Sequence, residues 1–159
     1  MNDIGLIRLS NGKISLVDAD KFLELNQWQW HLFGRYAGRK VRHGPGLRQT
    51  IYLQNAIRNA TSGCTNDHIN GYPLDNRLCN LRDATASQQA WNSAKTSSKT
   101  SSRYKGVSWN RKMKKWQASI CREYKLITLG FFETEELAAT AYNQAAKELF
   151  GEYSRGNVL

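Results

Sequence analysis

Apolar and polar positions alternate through IGLIRL and KISLVD, with Asn11-Gly12 between the two runs, and this pattern predicts a β-hairpin at the start of the chain. Asp18 stands just before DKFLEL, where it is placed to cap a short helix. QWQWHLF and RQTIYLQ alternate in the same way and predict further strands around a basic, Gly-rich stretch at Arg35, Arg39, Lys40 and Arg42. Residues 64–95 are polar and lack a sustained period. KTSSKTSS then carries no apolar residue, so a linker is expected over 96–102. Alternation returns in YKGVSW, KWQASICR and KLITLGFF, which predict three strands. The period then changes: Leu137, Ala141, Ala145 and Leu149 recur every four residues, with Ala138 and Tyr142 beside them. That is a helix, with Thr134 as its cap, Glu135 and Glu136 in its first turn and Gly151 at its end.

The expected class is therefore α+β. Its C-terminal part is a three-stranded antiparallel sheet packed on one helix, with a small β-rich segment over 1–60 and a polar centre over 61–95. At 159 residues the chain accommodates one ordinary domain or two small ones. A net charge of +10 points to an anionic partner, nucleic acid before an acidic membrane. No apolar run approaches the roughly 20 residues that a spanning helix needs, and the start has no signal-peptide pattern. A soluble, cytoplasmic protein without a membrane partner is expected. Cys64, Cys79 and Cys121 contain no C-x-x-C pair and read as half-buried thiols rather than a disulfide or zinc framework.

Charge is sorted within the last segment, 103–159. Eight cations face one anion between residues 103 and 126, whereas two face five between 133 and 159. The strands carry the positive half and the helix the negative half. One face of the sheet is then expected on the helix and the other basic and exposed, a surface that can enter a DNA major groove.

The densest cluster of functional polar residues runs from Asn66 to Asn92, NDHINGYPLDNRLCNLRDATASQQAWN. Phosphodiester hydrolysis needs a general base, a hard cation on the phosphate and stabilisation of the leaving oxygen. Asp67-His68 puts a carboxylate and an imidazole at one strand end, where a turn can aim both at one ion. Oxygen ligands suit magnesium, and histidine titrates near neutral pH. A turn-rich loop follows (Asn70-Gly71, Pro73, Asp75-Asn76), then a strand in NLRDAT and a helix from Ser87 that carries Gln89 and Asn92.

DHINGYPLDNRLCNLR with its trailing Asn-bearing helix resembles the HNH, or ββα-metal, homing endonucleases of phages and mobile introns. YKGVSW…KWQASI…LITLGFFETEELAATAYNQAAKELF is similar to the APETALA/ethylene-response-factor type of DNA-binding domain. LVDADKFLELNQWQWH also resembles the start of phage nucleases that join these two parts. The resemblance implies a ββα-metal nuclease core over 61–95 and a DNA-binding domain over 103–159. It implies His68 as general base and Asp67 as a metal ligand, with Asn80 supporting the loop or positioning the base. Gln89 stands where the family usually offers an Asn ligand, and Asn92 lies on nearly the same helical face. The cofactor implied is a divalent ion, magnesium with manganese as the alternative. The implied partner is double-stranded DNA, bound in the host cytoplasm if the gene is a phage's.

On the sheet the positions matching the family's DNA contacts are Lys105, Ser108, Arg111, Lys115, Gln117, Ser119, Cys121 and Thr128. The basic set adds Arg103, Lys112, Lys114, Arg122 and Lys125. Plant relatives use several Arg and Trp on this face, so phosphate contacts should carry more of the affinity here. One active site per chain predicts a nickase acting as a monomer, and no protein partner is evident.

Two alternatives stay open. Gln89, and Gln54-Asn55 where relatives have a His-Arg pair, also fit a decayed nuclease that only binds DNA or regulates. A basic, ribosome-associated RNA binder would explain the charge but not the Asp-His-Asn string. His31 and His43 lack a comparable setting and read as partly exposed, and most of the five tryptophans, Trp116 above all, read as core.

Overall fold

The computed structural model describes residues 3–95 and 100–159, and the chain divides into two compact units, Met1–Ala86 and Ser87–Leu159. In the first unit, β1 (Ile4–Arg8) and β2 (Ile14–Asp18) pair antiparallel with Ile7 opposite Ser15. Gly12 takes the left-handed conformation at φ 84° and closes a three-residue turn, longer than the two-residue form of an Asn-Gly hairpin. α1 (Ala19–Asn26) follows directly. Asp18 occupies its N-cap position without capping it, because the carboxylate instead accepts the Leu78 N–H at 2.7 Å.

β3 (His31–Phe33), β4 (Tyr36–Arg42) and β5 (Arg48–Tyr52) form a three-stranded antiparallel sheet in that order. The basic stretch around Arg39 is thus itself the central strand, while α2 (Leu53–Ile57) takes the end of the expected RQTIYLQ strand. Ile7, Leu9, Val17, Leu25, Trp30, Ala37, Leu53 and Leu74 make one core. Leu74 comes from the polar centre. Leu16 forms a parallel bridge to Asp75, with the Leu16 N–H on the Leu74 carbonyl at 2.7 Å and the Asn76 N–H on the Leu16 carbonyl at 2.8 Å. The N-terminal hairpin is therefore bonded along the loop that follows Asp67-His68. β6 (Thr65–His68) and β7 (Leu81–Ala84) complete the unit as a two-stranded antiparallel sheet with His68 opposite Leu81.

The second unit starts with most of α3 (Ala86–Asn92). Of the linker expected over 96–102, residues 96–99 lie outside the described residues. Ser101 accepts the Trp109 N–H at 2.8 Å, and buried Ser102 accepts that of Tyr104 at 2.9 Å, so this end of the segment is bonded into the fold. β8 (Val107–Asn110), β9 (Lys115–Arg122) and β10 (Lys125–Phe132) form the three-stranded sheet with β9 central, and α4 (Glu135–Phe150) packs on it. Thr134 caps α4 by accepting the Leu137 N–H at 3.2 Å, and Gly151 ends it at φ 54°.

The stripe that α4 buries is Ala138, Tyr142, Ala146 and Phe150, with Ala139 beside it, whereas Leu137 is 53% exposed. The expected stripe is turned by one residue. Packing decides this: Gly106, at φ 73°, lies directly under the Tyr142 ring, and the alanines bring α4 close over Val107 and Ala118. Trp116 packs half-buried against that core, Trp30 is buried, and Trp28 and Trp109 are exposed. All three cysteines are free thiols, Cys64 half-buried but Cys79 and Cys121 exposed. Among the described residues no helix is long and apolar enough to cross a membrane.

Candidate functional site

Asp67 and His68 end β6, both buried. The Arg82 Nε lies 3.0 Å from the Asp67 Oδ2, across the register that sets these two residues opposite each other. His68 Nε2 lies 3.1 Å from the Asn76 Oδ1, and the Tyr36 ring stands beside the imidazole at 6.0 Å. Burial pulls the His68 pKa below the ordinary imidazole value, against the raising effects of the Asn76 hydrogen bond, Asp67 and Asp75, and Arg35 pulls the same way as burial. At neutral pH the ring is therefore uncharged, the form able to accept a proton.

Asn80 clasps the intervening loop. Its side chain donates to the Asp75 carbonyl at 2.7 Å and to the Asn70 Oδ1 at 3.1 Å, and it accepts the Asn70 N–H at 3.0 Å. Asp75 is gripped by both arms of Arg77 at 2.7 Å and by the Asn70 amide at 2.9 Å. That guanidinium holds its pKa below the usual carboxylate range. Asp83 pairs with Arg58 at 2.9 Å and with the Thr61 hydroxyl. Asp75 and Asp83 are thus structural anions, and Asp67 is the carboxylate beside the candidate base. Among the described residues no three His, Cys, Asp or Glu side chains gather to hold an ion. The Asp67 carboxylate is a hard oxygen donor all the same. Its chemistry suits a magnesium-like cation, which keeps waters and takes much of its shell from a phosphate substrate.

Gln89 is half-buried and Asn92 buried on α3, which is anchored within the second unit. The Lys105 ammonium donates to the carbonyls of Ala90, Trp91 and Ser93, each at 2.9 Å, and Trp91 stacks on Phe150 with ring centres 4.3 Å apart. Burial, with Arg155 nearby, brings the Lys105 pKa down to about 8. Lys105, singled out in the sequence as a DNA contact, thus holds a helix end.

The other sheet candidates sort by strand parity. Ala118, Ile120 and Val107 face the core, so Ser108, Lys115, Gln117, Ser119, Cys121 and Thr128 share the outer face. Asn110, which the sequence did not single out, joins them: its amide donates to Gln117 at 2.9 Å, and Gln117 donates to the Thr128 hydroxyl at 3.3 Å, a polar row across all three strands. Lys115 pairs with Glu133 at 2.7 Å. Arg111, Lys112 and Lys114 stand exposed in the β8–β9 turn. Arg122 and Lys125 face each other at the far hairpin end with the parity of Ile120, and Arg103 lies against Tyr104 and Glu136 near the start of α4.

The first unit has a basic face of its own. Residues 27–64 hold six cations and no anion. On the outer side of its three-stranded sheet, Lys40 and Arg42 alternate with Tyr36 along β4, opposite Thr50 and Arg48 on β5. Arg39 points the other way, its guanidinium 4.1 Å above the Trp28 ring. Gln54 is buried on α2, and its side-chain oxygen has no hydrogen-bond partner among the described residues.

Known proteins resemble the chain in part and nearly throughout its length. Residues 102–152 match the AP2 domain. An uncharacterized HNH endonuclease of Acanthamoeba polyphaga mimivirus is 32% identical over 97% of this chain and 80% of its own length. Protein 3.8 of Escherichia phage T7 is 34% identical over 56% of this chain and 72% of its own. No solved structure matches. The chain belongs to the HNH endonuclease family and carries an AP2 domain.

Proposed function

We propose that this protein is a metal-dependent, homing-type HNH endonuclease that binds double-stranded DNA and nicks one strand per active site. The observation that carries the reading is the buried Asp67-His68 pair, whose imidazole is neutral and set beside Asn76, in a chain of this family. His68 takes a proton from water as the water oxygen forms its bond to phosphorus and the bond from phosphorus to the leaving sugar oxygen breaks. Asn80 keeps the loop after His68 in shape. Asp67 would hold a divalent ion, magnesium or manganese, and the family pattern implies Gln89 and Asn92 as its carboxamide ligands. When bound, such an ion supplies positive charge at the phosphate and the leaving oxygen.

DNA is held by the outer face of β8–β9–β10 and its basic turn, where the Asn110–Gln117–Thr128 row offers donors and acceptors to base edges and Arg111, Lys112 and Lys114 meet phosphates. The Tyr36–Lys40–Arg42 face of the first unit, which begins 6.0 Å from the His68 ring, supplies phosphate contacts near the scissile bond.

Incubating supercoiled plasmid with the protein and magnesium, with and without EDTA, tests the proposal. Magnesium-dependent nicking that His68→Ala abolishes is expected. The absence of nicking by the wild type, or equal nicking by the variant, removes the enzymatic claim. Gln89 favours a second reading, a DNA-binding protein whose metal ligand has decayed. If the wild type binds DNA without cutting it and Gln89→Asn cuts, that reading holds.

A further inference from the structure

We propose that Asn76 and Ser15 are positioning residues that fix the proton of His68 on Nε2 and its lone pair on Nδ1. The proposal rests on His68 being the general base. The argument starts from a residue that the hydrophobic pattern does not explain. β2 buries Ser15 and Val17 on one face, so a hydroxyl sits at an apolar position with 0% exposure. A buried hydroxyl needs partners, and Ser15 has two.

Its Oγ lies 2.9 Å from the Leu74 carbonyl and 2.8 Å from the Asn76 Nδ2. A carbonyl only accepts, so the Ser15 proton points at Leu74. The Ser15 oxygen is then left as an acceptor towards Asn76. The Asn76 Nδ2 meets a second acceptor, the Pro73 carbonyl, at 3.4 Å. Both neighbours therefore demand the NH₂ end of the amide, and its oxygen must face His68. That oxygen accepts from Nε2 at 3.1 Å, which places the imidazole proton there. Each link is directional, and Asn76, like Ser15, is fully buried, so neither can turn to water instead.

The reach of this relay matters as much as its direction. Ser15 lies on the N-terminal hairpin, 53 positions before His68, and it stays in place through the Leu16–Leu74 and Asn76–Leu16 backbone bonds. The hairpin is thus part of the device that sets the base, in addition to its share in the core. Asn76 is the pivot, since its amide joins hairpin and imidazole.

Histidine-selective ¹⁵N labelling with long-range ¹H–¹⁵N correlation reads the tautomer directly. The chain has three histidines, and the signal lost in His68→Ala assigns the one that matters. In the wild type, above the imidazole's titration, the proton is expected on Nε2. Asn76→Asp keeps an acceptor towards Nε2 and should keep that tautomer. Ser15→Ala leaves only the long Pro73 contact to orient the amide, so it should mix the tautomers and lower the nicking kcat about 10-fold with KM unchanged.

A wild-type proton on Nδ1 overturns the proposal, as does Ser15→Ala leaving tautomer and kcat untouched. If Ser15→Ala does not fold, the wild-type and Asn76→Asp spectra decide. An Nε2 proton in a wild type that cuts no DNA supports the relay and sinks the nuclease reading alone.

Discussion

Both units have an apolar core, but only the first buries a dense set of polar side chains beside it. The first sinks Ser15, Gln54, Asn66, Asp67, His68, Asp75, Asn76 and Asn80 below its surface, while the buried set of the second is mainly Ala, Val, Ile, Tyr and Phe. Each buried polar group costs roughly 1–3 kcal/mol if left without a partner, so the first unit must satisfy a dense network to fold at all. That requirement also fixes directions. Around His68, the proposed base, the chain encloses donors and acceptors in one geometry. Under the face proposed to hold DNA it builds a tight apolar layer instead and keeps the polar row Asn110–Gln117–Thr128 on the outside. On the proposed reading the proton transfer falls to His68 in the first unit and most of the DNA contact to the sheet of the second, and single substitutions can separate the two.

The sharpest separation comes from His68→Ala. Removing a general base should lower the nicking rate by about 10²–10⁴-fold. Duplex affinity, read by gel shift at fixed salt, should stay at the wild-type value. A parallel loss of both would mean that the two units do not divide the work.

Next in size are two folding effects of different origin. Asn80→Ala leaves the Asp75 carbonyl and the Asn70 N–H without their partner, and should cost about 2–4 kcal/mol in denaturant unfolding. Gly106→Ala should cost a similar amount, about 2–4 kcal/mol, because a methyl at φ 73° meets both the strain of the left-handed region and the Tyr142 ring. The contrast lies in function. Refolded Asn80→Ala protein should nick poorly at any salt, whereas refolded Gly106→Ala protein should lose affinity for DNA first.

These cases also show what the sequence can and cannot reveal. The hairpin, the three C-terminal strands, the Thr134 cap and the Asp67-His68 strand end were legible because period and cap chemistry are local. β4 was not, since glycine and three cations mask its alternation, and only the pairing with β3 and β5 reveals it. The face of α4 was read one residue out because Leu137 is more apolar than Ala138, yet a small residue is what a close helix–sheet approach requires. Ser15, Asn76 and Asn110 went unnoticed for a common reason: their roles depend on partners distant in sequence or across strands. The one available hint was a serine at an inward strand position.

Charge offers a finer test on the second unit. Replacing Arg111, Lys112 and Lys114 together by Ser should lower the slope of log affinity against log salt by about 2–3, since each neutralised phosphate contributes about 0.9. Lys105→Gln removes a cation from the same sheet candidates, but that ammonium lies on the carbonyls at the end of α3. Its slope should match the wild type while its stability falls. Equal slope changes per charge in the two variants would place Lys105 on the DNA after all.

The smallest effect is the most diagnostic for packing. Leu137→Ala changes a large apolar side chain, which in an ordinary buried helix position would cost about 2–5 kcal/mol. Here the side chain is 53% exposed on the first turn of α4, and alanine is the better helix former. The expected change is therefore within about 0.5 kcal/mol of zero. Ala138→Leu, one position on, should cost about 1–3 kcal/mol, because 0% exposure against Val107 and Ala118 leaves no room for three more carbons. The pair inverts the usual order, in which losing the larger apolar residue hurts more. If thermal melts instead show Leu137→Ala as the costly change, α4 is turned on its sheet, Tyr142 no longer covers Gly106, and the apolar layer that holds the outer polar row in place has to be redrawn.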